Sequence, residues 1–535
     1  MAFKWMVATA AVACSSLGLP GAVAAADSNL PRLVHEAGRY GLLVDGKPYL
    51  ILGAQVNNSS AWPGMLPKVW SAIDQLGANT VQVPIAWEQI EPRQGKFDFS
   101  FLDTVLSEAR EHHVRLILLW FATWKNGSPG YTPEWVKVDT DRYPRVLTAR
   151  GERIHSMSPH ATTTLEADRK AFVELMRHLK QVDSQRTVIM VQVENEAGTY
   201  GSVRDFSPAA QKLFNAPVPA ALKTKAGNWQ QVFGKDADEF FNAWSIADFV
   251  GRVAAAGKAE YPLPLYCNVA LRDPFHPSAP GSYASGGPTD NVIDIWKAAA
   301  PALDLIAPDI YMPEYEKYTK VLDVYRRPDN ALFIAETGNA VPYARYFFAA
   351  LGQQAIGFSP FGMDFTGYSN FPLGAPKINT ETIAAFAVNY EVARPMMRQL
   401  ADLSLHGRLH GVAEDPGSHV QSLDLGAWRA TVSYGLPQFG PAKTPPGNPE
   451  PMGGMLVGQL GPNEFLVAGR HARISFDVAE GGARTAKTQF VRVEEGTFDQ
   501  DGTWKFLRIW NGDQTDWGLN FTSAPQVLRV RLGTY

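Results

Sequence analysis

Two segments of the sequence carry acidic residues directly after runs of apolar residues. Residues 191–196 are Val-Gln-Val-Glu-Asn-Glu and residues 333–338 are Phe-Ile-Ala-Glu-Thr-Gly, which gives Glu194, Glu196 and Glu336. Hydrolysis of a glycosidic bond needs two facing carboxyl groups: one protonates the leaving oxygen, and the other attacks the sugar or activates water. A separation of about 5–5.5 Å corresponds to retention of the anomeric configuration, and about 6.5–9.5 Å to inversion. A lone strand-end glutamate more often belongs to a structural hydrogen-bond network, but the two segments together favour a catalytic pair.

The elements that would position these glutamates repeat eight times along the first four hundred residues. Short apolar runs alternate with amphipathic segments, which predicts strands followed by helices. The predicted strands cover residues 49–53, 80–85, 114–120, 187–194, 263–268, 303–311, 331–336 and 355–360. This alternation predicts a (β/α)8 or TIM barrel, because no glycine-rich phosphate turn supports the alternative of a doubly wound sheet. Catalytic residues of such barrels lie at the carboxyl ends of the strands, so the fourth and seventh strands would bring their glutamates together.

The texture of the sequence changes after residue 400. Segments rich in proline and glycine separate short alternating runs, which is typical of an antiparallel β-sandwich. We therefore predict three parts: an export signal at residues 1–26, a catalytic barrel at 27–400 and a smaller β-sandwich domain at 401–535. The last part could brace the barrel, complete its pocket or form a homodimer interface.

The first 26 residues have the pattern of a secretory signal. Lys4 precedes an apolar stretch, and small residues suited to cleavage occur up to Ala26, so we predict a periplasmic or secreted protein. The alternative is a lipoprotein anchored through Cys14, which stands in a loose lipid-attachment pattern. No later segment is a candidate for a membrane span.

The composition excludes several other classes of protein. The 535 residues include 49 Lys and Arg against 53 Asp and Glu, for a net charge of −4, so the chain has no electrostatic footprint for nucleic acid. Two cysteines cannot build a disulfide framework or a zinc cluster. Four histidines fall on predicted helices and a loop without matching carboxylates, so we expect neither a metal ion nor another cofactor; they are His112, His113, His155 and His160.

Two motifs resemble known glycoside hydrolases. Residues 192–201, Gln-Val-Glu-Asn-Glu-Ala-Gly-Thr-Tyr-Gly, resemble the acid/base motif of the β-galactosidases of glycoside hydrolase family 35. Residues 83–92, together with 95–99, are similar to a second-strand signature that families 35 and 42 of clan A share. The resemblance covers most of residues 40–400. Residues 401–535 resemble an uncharacterised β-domain appended to a bacterial subgroup of family 35, for which galactosyl side chains of xyloglucan oligosaccharides are the implied substrate.

The resemblance implies roles for individual residues. Glu196 would be the general acid/base and Glu336 the nucleophile of a retaining mechanism. Asn195 would bind the sugar 2-hydroxyl, and Tyr311 would orient Glu336. Glu194 would either accept a sugar hydroxyl or brace the site.

Other side chains at predicted strand ends could bind sugar. Trp87 and Trp120 stand directly at strand ends and are the better candidates for stacking on a sugar ring. Asn57 and Asn268 could bind hydroxyl groups, although asparagine is also a common turn residue. Asp309 is expected to serve local structure.

Three function classes stay open at this point. The first is a retaining exo-β-galactosidase that acts on an oligosaccharide. The second is another clan A glycosidase, such as a family 42-like β-galactosidase or an endo-acting glucanase or mannanase. The third is a non-catalytic carbohydrate-binding protein, against which the two glutamates argue.

Overall fold

The computed structural model describes residues 29–222, 224–440, 444–479, 486–499 and 502–535. The predicted export signal, including Cys14, lies outside these residues. Within the described ranges no helix combines the length and the apolar character that crossing a membrane would require.

Three short strands precede the barrel and were not predicted from the sequence. They form an antiparallel sheet: β1 (Arg32–Glu36), β2 (Arg39–Val44) and β3 (Lys47–Tyr49). Their buried side chains, Leu42 among them, join the apolar cluster inside the barrel. This small sheet therefore packs on the barrel end from which the strands begin, away from their carboxyl ends.

Eight parallel strands close into a barrel, as predicted. In chain order the barrel strands are β4 (Ile51–Gln55), β5 (Thr80–Ala86), β6 (Arg115–Lys125), β9 (Val188–Asn195), β10 (Leu265–Ala270), β11 (Leu305–Ile310), β12 (Ile334–Thr337) and β13 (Gly357–Pro360). Two further strands, β7 (Arg145–Leu147) and β8 (Arg153–Met157), form a hairpin between β6 and β9. The hairpin lies outside the barrel, and β13 pairs with β4 to complete the circle. Strand β6 runs five residues past its predicted end, which carries Lys125 to the barrel mouth.

Thirteen α-helices occur in the described part of the chain, most of them on the outside of the barrel. They are α1 (Leu66–Leu76), α2 (Trp87–Ile90), α3 (Ser100–Glu111), α4 (Glu134–Lys137), α5 (Thr162–Val182), α6 (Pro208–Phe214), α7 (Trp229–Phe233), α8 (Ala237–Glu260), α9 (Ile293–Ala299), α10 (Tyr315–Tyr325), α11 (Tyr346–Gly352), α12 (Thr380–Ala393) and α13 (Met397–Leu405). Helix α1 illustrates their logic: Val69, Ile73 and Leu76 lie at helical spacing and are buried. It ends at Gly77, whose φ of 70° suits a left-handed cap.

The C-terminal part forms two antiparallel sheets, as predicted. Its strands are β14 (Leu409–Ala413), β15 (Val420–Asp424), β16 (Trp428–Ser433), β17 (Gly454–Gly461), β18 (Glu464–Arg470), β19 (Ala472–Val478), β20 (Thr488–Phe498), β21 (Trp504–Ile509), β22 (Leu519–Phe521) and β23 (Val527–Thr534). The larger sheet has the order β14-β17-β18-β23-β20-β21, and the smaller has β15-β16-β19-β22. One apolar cluster, including Trp428 and Phe465, fills the space between the sheets.

The larger sheet packs directly on the barrel. Residues of β14, β17 and β18 belong to the same apolar cluster as the barrel helices. At the contact with α11 the backbones approach closely, because a Cβ atom on Gly352 would lie 2.2 Å from the carbonyl oxygen of Gly411. Glycine is therefore required where α11 meets β14.

Candidate active site

The cavity at the carboxyl ends of the barrel strands collects the candidate residues. It has a volume of about 550 Å³ and is lined by side chains that include Glu196, Asp309, Tyr311 and Glu336. On β11, Leu305 and Ala307 face the barrel interior. Because side chains alternate along a strand, Asp309 and then Tyr311 continue this inner face into the cavity.

Three carboxyl groups converge in the cavity. Glu196, Asp309 and Glu336 each place one carboxyl oxygen within 4.8 Å of an oxygen of the other two. The closeness of Glu196 to Glu336 suits the shorter of the two spacings used in glycoside hydrolysis, the one that leads to retention. Three converging carboxyl groups could also suit a cation. However, the Lys125 ammonium faces Glu196 and the Asn268 amide donates to both other carboxyl groups, so the chain itself supplies the balancing groups.

Four donors surround the Glu336 carboxylate, which lies at the end of β12. Its Oε1 accepts hydrogen bonds from Gln55 Nε2 at 2.7 Å, Asn195 Nδ2 at 3.4 Å and Asn268 Nδ2 at 3.4 Å. Its Oε2 accepts one from the Tyr311 hydroxyl at 2.7 Å. Burial and the Glu336 charge raise the pKa of Tyr311, which keeps this hydroxyl protonated as a donor. The arrangement orients an anionic carboxylate and stabilises its charge, as a nucleophile requires.

Glu196 has the opposite electrostatic setting. Burial is the main cause that raises its pKa to about 7, and the negative charge of Glu336 adds to the rise. The Lys125 ammonium and a hydrogen bond with Asp309 act against that rise. The backbone N–H of Glu196 donates to Asn268 Oδ1 at 2.9 Å, which fixes the start of the loop after β9. A carboxyl group with this pKa can both give and take a proton near neutral pH, as a general acid/base must.

Glu194 points away from the cavity into the barrel wall. Its Oε2 accepts a hydrogen bond from the backbone N–H of Trp124 at 2.7 Å, and its carboxyl group hydrogen-bonds Asp168 of α5. Burial, and then the charge of Asp168, raises the pKa of Glu194 well above its usual range. Of the two roles left open by the sequence, this geometry supports the brace.

The two tryptophans predicted to stack on sugar do not lie in the cavity. Trp87 and Trp120 are both fully buried, and neither lines the cavity. The indole N–H of Trp87 donates to Glu91 and that of Trp120 to Asp168, so the stacking role predicted for the two rings has no support in the geometry.

The two asparagines at strand ends have different outcomes. Asn57 is buried and donates to Asp364 through its backbone and side-chain nitrogens, at 2.7 and 2.9 Å, while its neighbour Asn58 lines the cavity. Asn268 lies inside the site, where it donates to Asp309 at 2.7 Å.

Several residues of the site were not among the predicted binding residues. Gln55 and Lys125 stand at or near the ends of β4 and β6, and Asp309 was assigned to local structure. The signal for Asp309 was its alternation with Tyr311 on the inner face of β11. Tyr200 and Tyr368 line the mouth of the cavity, with 42 % and 58 % of their surface exposed. These two rings take the place of the buried tryptophans as candidates for sugar stacking.

Comparisons with known proteins point in one direction. Residues 61–245 match the family model for glycoside hydrolase family 42, described as beta-galactosidase, and residues 386–522 match a domain of unknown function, DUF5597. The chain is 30 % identical over 164 residues to a beta-galactosidase of Xanthomonas manihotis, covering 29 % of this chain and 25 % of that protein. It is 29 % identical over 103 residues to Beta-galactosidase 11 of Arabidopsis thaliana, covering 18 % and 12 %. The matched region thus spans a quarter or less of these relatives.

Among solved structures, the fold is similar to a beta-galactosidase of the psychrophilic Marinomonas ef1. The TM-score is 0.50 at 13 % identity, over 66 % of this chain and 61 % of that one. At this identity the likeness shows the fold alone. Together the comparisons support a likeness to clan A β-galactosidases in general, rather than to family 35 in particular.

Proposed function

We propose that the chain is a retaining exo-β-galactosidase, with Glu336 as nucleophile and Glu196 as general acid/base. The observation that carries the proposal is the approach of the two carboxyl groups, which place oxygens within 4.8 Å of one another. The raised pKa of Glu196 and the four donors around Glu336 support the assignment of the roles. The partial likeness to β-galactosidases supports the sugar.

The geometry suits a double displacement. In the first step Glu336 attacks the anomeric carbon while the bond to the leaving oxygen breaks and that oxygen takes the proton of Glu196. The product is a galactosyl ester, in which Glu336 no longer carries charge. Glu196, now ionised, takes a proton from water, the water oxygen attacks the anomeric carbon, and the ester bond breaks.

The size of the cavity and the two tyrosines at its mouth support an exo-acting enzyme. A volume of about 550 Å³ holds a terminal sugar and part of its neighbour, not a long polymer segment. Tyr200 and Tyr368 at the mouth offer faces for the sugar to which galactose is attached. We propose galactosyl side chains of plant xyloglucan oligosaccharides as substrates, and export of the enzyme through the signal at residues 1–26.

A panel of nitrophenyl glycosides tests the proposal. We expect hydrolysis of the β-galactoside with β-galactose as the first-formed product, detected by NMR before mutarotation. Xyloglucan oligosaccharides with and without galactosyl side chains test the leaving group in the same assay. Faster cleavage of polymeric glucan or mannan would favour the endo-acting alternative. Absence of turnover of every glycoside would overturn the proposal in favour of a carbohydrate-binding protein.

A further inference from the structure

We propose that Asp309 and Glu196 form a proton-sharing pair, so that Asp309 is a positioning residue for the acid/base of the enzyme. The inference rests on the proposed function and adds a third carboxyl group to its two-glutamate site. Asp309 is 2 % exposed and lines the cavity beside both glutamates. It is not needed as a second nucleophile, because Glu336 alone has the set of four donors.

The contacts of Asp309 leave one of its oxygens available for a shared proton. Oδ2 accepts the hydrogen bond from Asn268 at 2.7 Å. Oδ1 is buried and receives no hydrogen bond from an N–H or hydroxyl group among the described residues. A buried carboxyl oxygen without a donor is costly, and a proton held between two carboxyl groups removes that cost. Glu196 places a carboxyl oxygen within 4.8 Å of one of Asp309, so it is the group that can share this proton.

The charges that face the pair require such a proton. Among the described residues, Lys125 from β6 is the cation that acts on the pair, against the three carboxyl groups of Glu196, Asp309 and Glu336. The other titratable neighbours each have a pKa raised mainly by burial, so all are neutral; they are Tyr200, Tyr266, Cys267, Tyr311 and Tyr325. Because the donors around Glu336 stabilise its negative charge, the excess negative charge is relieved at Glu196 and Asp309. Burial, and then the charges of Glu336 and Glu196, raises the pKa of Asp309 well above its usual range.

Asn268 connects the pair to the nucleophile. Its Oδ1 accepts the backbone N–H of Glu196, and its Nδ2 donates to Asp309 and Glu336. In the first step of the reaction Glu196 gives its proton to the leaving oxygen while Glu336 loses its charge to the ester. One negative charge therefore moves from Glu336 to the pair, and it returns when water supplies a proton in the second step. Asp309 spreads the arriving charge over two carboxyl groups and keeps the last proton bound in the free enzyme.

The variant Asp309→Asn tests the proposal through the pH profile of kcat/KM. Removal of the last proton from the pair creates two adjacent anions, whereas in the variant it creates one beside an amide donor. We therefore expect the alkaline limb of the profile to move at least about one pH unit lower, while the plateau at lower pH stays within about tenfold of wild type. Asp309→Glu, which keeps the carboxyl group, should restore part of the shift.

The control variant is Asp273→Asn, which removes a carboxylate from the cavity lining without touching the three-carboxyl cluster. Asp273 pairs with Lys317 at 2.7 Å, and we expect its removal to leave the alkaline limb in place. If circular dichroism shows that Asp309→Asn is unfolded, Asp309→Ser carries the same test, because it also removes the carboxyl group. An unshifted limb in a folded, active Asp309 variant would overturn the shared proton alone. Absence of turnover by the wild type would overturn the proposed function and this inference together.

Discussion

Glu194 and Glu196 are separated by a single residue, yet they lie in two different environments. Both have a left-handed backbone, with φ of 61° and 45°, a conformation that is uncommon for residues other than glycine. Glu194 turns into the wall and meets Asp168, whereas Glu196 turns into the cavity and meets Asp309. Burial raises the pKa of both, so a perturbed pKa by itself does not distinguish a brace from an acid/base. The difference is access to the cavity. Glu196 lines the cavity beside Glu336, the carboxylate with four hydrogen-bond donors, and Glu194 does not.

The largest effect should come from removing the nucleophile, Glu336, beside which Glu196 lies and Glu194 does not. Glu336→Gln keeps the size of the side chain but cannot form the galactosyl ester. We expect kcat for nitrophenyl β-galactoside to fall by about 10³-fold or more. Circular dichroism checks that the fold is retained. Wild-type rates in this variant would show that Glu336 is not the attacking group.

The next largest effect should come from Glu196→Gln. We expect kcat/KM to fall by about 10²–10⁴-fold for substrates with poor leaving groups. The loss should be much smaller for a dinitrophenyl galactoside, whose leaving group needs no proton. In the wild type, kcat/KM should decline at alkaline pH, where the pair of Glu196 and Asp309 loses its last proton and Glu196 no longer has an acid form. Equal losses with both substrates would contradict the role of general acid.

Changes at Glu194 should alter stability rather than catalysis. Glu194→Ala leaves the buried Trp124 N–H without its acceptor and removes one of the groups that contact Asp168, so we expect the free energy of unfolding to fall by about 2 kcal/mol. Urea denaturation measures this difference, with Glu194→Gln as the matched control of similar shape. A loss of kcat as large as that of Glu196→Gln would remove the distinction between the two residues.

The variant Glu194→Gln should also change how the stability of the protein depends on pH. The folded chain keeps the proton of Glu194, because its pKa is raised, while the unfolded chain loses it above about pH 4.3. Stability therefore falls as the pH rises above that value, and Glu194→Gln should remove this part of the slope. The test compares how the free energy of unfolding changes with pH in the wild type and in Glu194→Gln, between about pH 5 and 8, which is above the reference pKa of glutamate. The same slope in both proteins would show that Glu194 is ionised in the folded state.

The smallest effects concern the aromatic rings. Tyr368→Ala should raise KM about fivefold for an oligosaccharide, which corresponds to about 1 kcal/mol of lost stacking. Trp120→Phe removes the indole donor to Asp168 and should leave KM unchanged while lowering the melting temperature by a few degrees. A raised KM in Trp120→Phe together with an unchanged KM in Tyr368→Ala would show that Trp120, not Tyr368, stacks on the sugar.

The sequence predicted the barrel because its signal is local and repeated. Eight apolar runs followed by amphipathic helices mark the strands, and the real strands differ mainly at their ends. The first sheet, with strands of three to six residues, was missed because such short segments carry little periodicity. The two sheets after residue 400 were recognised from their alternating runs, but strand order depends on contacts distant in sequence.

The site was less predictable than the fold. Strand-end position singled out Glu336 and Asn268, and the family resemblance singled out Tyr311, but neither could tell which way a side chain turns. The carboxyl group of Glu194 accepts the Trp124 N–H inside the wall, and the extension of β6 brings Lys125 to the mouth. Asp309 could have been predicted as a site residue from the alternation of side chains along its strand, because it lies on the same face as Tyr311.

The close approach of Gly352 to Gly411 has a consequence for how the chain behaves as a whole. With helix α11 and the larger sheet in one continuous apolar interior, neither part can melt without uncovering the other. A barrel truncated after α13 would present a hydrophobic face to solvent and aggregate, and calorimetry of the intact chain should record one cooperative transition.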